Sequence, residues 1–123
     1  MSETTRPPGK TTIAPNVLLT IARLATLDVE GVSSMSQLPG GVNRIFQRGY
    51  DEGVRIRIED DRVYVDLYVH LFSDVNVRDV SRTIQQEVFR SISEMVGMEV
   101  GRVNVHIDDI HYPNNFKAEA NSE

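Results

Sequence analysis

From residue 54 to residue 71, apolar and polar side chains alternate along two successive segments. Val54, Ile56 and Ile58 are separated by Arg55 and Arg57, and Val63, Val65, Leu67, Val69 and Leu71 by Tyr64, Asp66, Tyr68 and His70. A period of two belongs to a strand buried on one side only. If Asp60-Asp61 forms a two-residue hairpin turn, Ile58 faces Val63, Ile56 faces Val65 and Val54 faces Leu67, so every apolar residue falls on one side. The same pairing sets Arg57 beside Tyr64 and Arg55 beside Asp66, both favourable cross-strand neighbours. A sheet with one apolar face must be covered by something else in the chain.

The flanking segments supply that cover. Pro15 suits a first helical position, and Val17, Leu18, Ile21, Leu24, Ala25 and Leu27 recur at steps of three and four, with Gly31 placed to stop the helix. Arg23 and Asp28 fall on its water side. Asn76 is a good N-cap with Asp79 three residues on, and Val77, Val80, Ile84, Val88, Ile92 and Met95 or Val96 form a second stripe ending at Gly97. A last strand follows, Val103, Val105 and Ile107 inward and Arg102, Asn104 and His106 outward. Its parity slips at Asp108-Asp109, where Ile110 and Tyr112 take the other side, the mark of a bulge or a strand end.

Ahead of the first helix, Thr11-Thr12-Ile13 fits a short strand. Residues 31–53 hold Pro39-Gly40-Gly41 and no strong period, which reads as a long connection with at most one helical turn around Val42 to Gln47. The fold class is therefore α+β, a two-layer sandwich in β-α-β-β-α-β order, with two helices packed on one face of a small mixed or antiparallel sheet. A chain of 123 residues accommodates one such core. The domain spans residues 13–112, between flexible polar tails at 1–12 and 113–123.

Several kinds of chemistry are excluded or disfavoured. Cysteine is absent, which removes disulfides, thiolate metal sites and a cysteine nucleophile. Neither a signal-peptide apolar run nor a spanning stretch is visible, so the expected location is the cytosol. The net charge of -5 opposes non-specific attraction to phosphates or anionic lipid. His70, His106 and His111 match no catalytic spacing. His70 and His106 share the outer sheet face with Asp66 and Asp108, a conceivable two-histidine, one-carboxylate metal site, but solvated sheet residues explain them more simply. Aspartate pairs at 60–61 and 108–109 fit turn and bulge chemistry, and Gly40-Gly41 lacks the Lys and Ser/Thr of a phosphate loop. The chain is thus expected to be no enzyme, with no catalytic, metal or cofactor residues and no small-molecule substrate.

Function must then reside in surfaces. Arg44, Phe46, Arg48 and Tyr50, in the long connection with Ile45, have the composition of a protein contact, where aromatics and arginine act as anchors. The plainer alternative lets Ile45 and Phe46 plug the open end of the core and leaves the arginines in water. Arg55, Arg57, Tyr64, Tyr68 and His106 on the outer sheet face resemble the stacking platform of a single-stranded RNA binder. Asp66, Asp108 and Glu59 interrupt that face, which disfavours nucleic acid.

The run Ile13-Ala14-Pro15-Asn16-Val17-Leu18-Leu19-Thr20-Ile21-Ala22 followed by Glu30-Gly31-Val32 resembles the opening of the alkaline shock protein family, the envelope stress response family of Gram-positive bacteria. The likeness continues through Gly53-Val54-Arg55-Ile56, Val63-Tyr64-Val65-Asp66-Leu67, Asn76-Val77, Met95-Val96-Gly97-Met98-Glu99-Val100 and Val103-Asn104-Val105-His106-Ile107, so it spans roughly residues 13 to 112. Phe72-Ser73-Asp74-Val75 departs from it where relatives commonly carry a tyrosine-glycine pair. The resemblance implies a cytoplasmic, non-enzymatic protein that self-associates as a homo-oligomer, sometimes into filaments, and lies peripherally at the inner face of the membrane through an integral membrane anchor protein. It supplies no catalytic residue.

Overall fold

The double alternation folds as an antiparallel hairpin in the expected register. In the computed structural model, which describes residues 8–37, 50, 51 and 53–112 (the backbone alone at 50 and 51), β3 (Val54–Glu59) pairs with β4 (Arg62–Phe72). Ile58 lies opposite Val63, Ile56 opposite Val65 and Val54 opposite Leu67. The turn places both Asp60 and Asp61 at positive φ, 51° and 64°, as a type I′ hairpin loop requires.

β4 organises the rest. β5 (Glu99–His111) runs parallel to it from Arg62↔Glu99 to Phe72↔His111 and occupies one edge. The other edge is shared, with β3 along residues 62–67 and β1 (Val32–Met35) antiparallel along residues 69–71. At the junction Tyr68 N–H donates to Gly53 O at 2.8 Å and Tyr68 O accepts from Ser36 N–H at 2.7 Å. Gly53 has φ 84°, and a Cβ there would stand 2.6 Å from Ser36 O and 2.7 Å from Tyr68 O, so the seam has room only for glycine. With both edges engaged, β4 buries its inner row completely: Val63, Val65, Leu67, Val69 and Leu71 are each 0% exposed. A short β2 (Tyr50–Asp51) extends β3 on its far side.

Two helices cover the inner row. In α2 (Val77–Val96), Asn76 Oδ1 accepts from Asp79 N–H at 3.0 Å and Gly97 closes the C-terminus in the left-handed conformation. Its stripe Val80, Ile84, Val88 and Ile92 joins the same core cluster as the strands. α1 (Pro15–Leu27) contributes Leu18, Leu19 and Ala22, so both helices lie on one face of a mixed sheet, the expected α+β sandwich. α1 carries no side-chain cap at Ala14, no acidic residue in its first turn and no basic residue in its last.

Three expectations are corrected. Residues 11–13 form no strand, and the order is α-β-β-β-β-α-β. Ile13 is exposed, and residues 11–13 pair with none of the described strands. The segment after α1 is more than a connection, since it holds β1 and β2; the proposed helical turn at 42–47 lies outside the described residues. Finally, α1 is rotated from the expected phase: Val17, Leu24 and Leu27 are exposed, Arg23 is half-buried, and Leu19, Ala22 and Thr26 turn inward. Small Ala22 permits close approach to the neighbouring elements, and the Thr26 hydroxyl is satisfied internally by donating to Ala22 O at 2.7 Å.

Candidate interaction surface

With α1 and α2 on the inner side, the outer face of the sheet has no described helix over it, and the alternation delivers its polar and aromatic residues there. Arg55, Arg57, Tyr64, Tyr68 and His106, the residues singled out from sequence, do converge on this face. Arg57 lies over the Tyr64 ring, 4.7 Å from its centroid, while the other side of the strand pair brings Gly101 so close that a Cβ would be 2.7 Å from the ring. Tyr68 stacks on His106 with centroids 4.4 Å apart and planes inclined by 12°.

Asp66 is the hub between these pairs. Its carboxylate accepts from Arg55 at 3.1 Å on β3, and from Asn104 at 3.0 Å on β5, with His106 Nε2 at 3.5 Å. Partial burial pushes its pKa up, but the donors Asn104, Arg55 and His106 and the Arg55 charge outweigh that and hold it below the usual aspartate value. A shallow depression of about 520 Å³ opens here, lined by Arg55, Ile56, Arg57, Asp66 and Asn104.

A second network crosses the other end of the face. Ser34 Oγ meets His70 Nδ1 at 3.3 Å, Ser33 Oγ meets His111 Nδ1 at 2.7 Å, and the His70 and His111 rings meet edge-on at 4.5 Å. Ser36 Oγ donates to Asp108 Oδ2 at 2.5 Å. Asp108 is the extra residue where the β4–β5 register shifts between Val69 and His70, the bulge anticipated from the parity slip. These contacts tie β1 over β4 to β5.

The conceivable metal site is not assembled. His106 is engaged with Asp66 and Tyr68, His70 with Ser34 and His111, and the described residues hold no group of three or more His, Asp or Glu suited to a metal ion. Of the loop candidates, Arg44, Phe46 and Arg48 lie outside the described residues, and Tyr50 is described only as backbone paired with Arg55. Sequence reasoning missed Ser33, Ser34, Ser36 and His111, because their roles depend on β1, which has no periodic signature. It also missed the exposed apolar stripe of α1, Val17, Leu24 and Leu27. No described helix is long and apolar enough to cross a membrane.

Comparison with known proteins agrees with the resemblance read from the motifs. The chain is 34% identical over 105 residues to protein Spy1535 of Streptococcus pyogenes, covering 83% of this chain and 79% of that one. It is 28% identical over 106 residues to protein YqhY of Bacillus subtilis (85% and 78%) and 23% identical over 110 residues to YloU of the same organism (86% and 92%). Among solved structures, MamM CTD variants align with a TM-score of 0.49 at 13% identity, over 76% of this chain and 95% of that one, a likeness too slight to carry an argument. A family model matches residues 3–112, nearly the whole chain, and the protein belongs to the alkaline shock protein 23 family, which has a cell envelope-related function.

Proposed function

We propose that the protein is a non-enzymatic scaffold or adaptor of cell-envelope homeostasis, acting by self-association and by binding a membrane-anchored partner. The observation that carries this reading is how the ionisable groups of the open sheet face are used. Asp66 is held by Arg55, Asn104 and His106, Asp108 by Ser36, His70 by Ser34 and His111 by Ser33. Groups bound to one another stiffen a surface; catalysis would need them turned toward a common point.

The family's envelope-related function supports the setting. The protein would be cytoplasmic and reach the inner face of the membrane through an integral membrane anchor. The exposed Val17, Leu24 and Leu27 of α1, with the loop residues Arg44, Phe46, Arg48 and Tyr50, are the contact candidates for that anchor. Single-stranded RNA is the weaker reading, because an ionised Asp66 sits in the middle of the Tyr64 and Tyr68 platform and repels phosphate. Light scattering over a wide concentration range, with pull-downs from the native membrane fraction, tests the proposal. Concentration-dependent mass and retention of an integral membrane protein are expected. A strictly monomeric chain that retains none, or turnover of a small molecule abolished by changing one ionisable side chain, would refute it.

A further inference from the structure

The longest strand of the sheet has one edge that no described strand pairs with. β5 has 13 residues, and among the described residues it pairs with β4 alone. On its far edge Gln85 Nε2 of α2 donates to Val103 O at 3.1 Å. That contact fixes which groups point outward: if Val103 O faces the open edge, alternation turns the N–H and C=O of Val105 and Ile107 the same way. Past the bulge the sense reverses, as the donation from Ser73 N–H to His111 O on the β4 side requires. The stretch that can pair is therefore residues 102–107, bounded by the extra residues Gly101 and Asp108, with the Gln85 side chain giving up Val103 O to the incoming strand.

Strands left open in monomers usually carry lysine, proline or inward charges that discourage pairing. Between its two bulges this edge has none of them. Its inward residues Val103, Val105 and Ile107 are only half-buried, and Phe89, one turn beyond Gln85 on the same flank of α2, is 45% exposed. The sequence is also complementary to itself. Taken antiparallel about Val105, it sets Val103 opposite Ile107, Asn104 opposite His106 and Arg102 opposite Asp108, with Gly101 and Asp108 falling at the ends of the ladder. Shifting by two residues places Arg102 opposite His106 and leaves Ile107 facing Gly101. Arg102 is exposed and makes no ion pair among the described residues, so it is available to a partner.

We infer that β5 pairs antiparallel with β5 of a second copy about a two-fold axis at Val105, which joins the two sheets into one. The inference rests on the self-association reading above and names its surface. Pairing through Val105, whose outward N–H and C=O would be exchanged between copies, makes the interface isologous. It also brings Asn104 and His106 of each copy beside those of the other, so the two Asp66 hubs share one continuous outer face.

The test uses the full chain alone, free of ligands, by analytical ultracentrifugation at near-neutral pH. Val105→Pro removes an outward N–H that the β4 ladder does not use, and Arg102→Glu opposes two acidic groups at each end of the ladder. Each variant is expected to weaken association on the order of tenfold or more with the far-UV circular dichroism unchanged. Asp108→Arg, which also gives up the Ser36 contact, should weaken association likewise, whereas an equal mixture of R102E and D108R chains should associate again, because each mixed pair restores opposite charges. Should Val105→Pro fail to fold, the exposed Arg102→Glu still decides. Self-association unaffected by R102E, or a mixture no tighter than its components, would overturn the β5 pairing and leave the scaffold reading intact. A wild-type chain that stays monomeric would remove both.

Discussion

Arg55 on β3 donates to Asp66 on β4 at 3.1 Å, directly across the ladder, while Asn104 approaches the same carboxylate from β5 at 3.0 Å. One side chain thus links three strands. Because the folded-state pKa of Asp66 is depressed, its contribution to stability is fully present above the unfolded aspartate value and is lost as pH falls through the folded one. Asp66→Asn should lower the urea midpoint at neutral pH, and the gap to wild type should close as pH falls below about 4. Urea titrations of both chains from pH 7 to pH 3 check this; a gap that is constant with pH counts against the linkage.

The hairpin turn is built from residues that dislike its geometry. Asp60 and Asp61 both sit at positive φ, where asparagine and glycine are better accommodated. The double substitution Asp60→Asn, Asp61→Gly should stabilise the protein by about 0.5–1 kcal/mol, seen as a rise of a few degrees in Tm by calorimetry.

Gly53 and Gly101 are both crowded, but by different things. At Gly53 a Cβ meets the backbone carbonyls of Ser36 and Tyr68, which cannot move without opening the seam beside β4. Gly53→Ala should therefore cost at least about 2 kcal/mol. At Gly101 the obstacle is the far end of the Tyr64 ring, which can swing aside at the expense of its contact with Arg57. Gly101→Ala should cost about 1 kcal/mol. Denaturation of the two variants side by side reads the difference, and equal losses would contradict this account.

Ile84 sits at the centre of the layer between α2 and the sheet, fully buried. Ile84→Ala should destabilise by about 2–5 kcal/mol, while Met95→Ala on the same helix, 71% exposed, should change stability by less than about 0.5 kcal/mol. Chemical unfolding of both variants measures the contrast.

What could be read from the chain before its structure follows from how local each signal is. The hairpin was legible because strand parity and turn length fix its register without outside help, and α2 because Asn76 and Gly97 mark its ends. The bulge at Asp108 announced itself as a slip in alternation. β1 did not, since Val32-Ser33-Ser34-Met35 has no period and becomes a strand only because β4 offers it an edge far away in sequence. The phase of α1 was misjudged for a related reason. Apolar residues cover so much of its circumference that the buried side is chosen by packing, with Ala22 and Thr26 deciding it. The outer-face residues Arg55, Arg57, Tyr64, Tyr68 and His106 followed from parity; the serine and histidine contacts across β1 needed the tertiary structure.

The bare ends of α1 set it apart from every other element. A thirteen-residue helix with no capping side chain and no favourable charge at either terminus has little reason to exist in water by itself. It keeps its shape only while docked, through Leu18, Leu19 and Ala22. Its amide protons should consequently exchange with solvent well before those of β4, making α1 the part of the molecule that can come away first and leave the remaining framework standing.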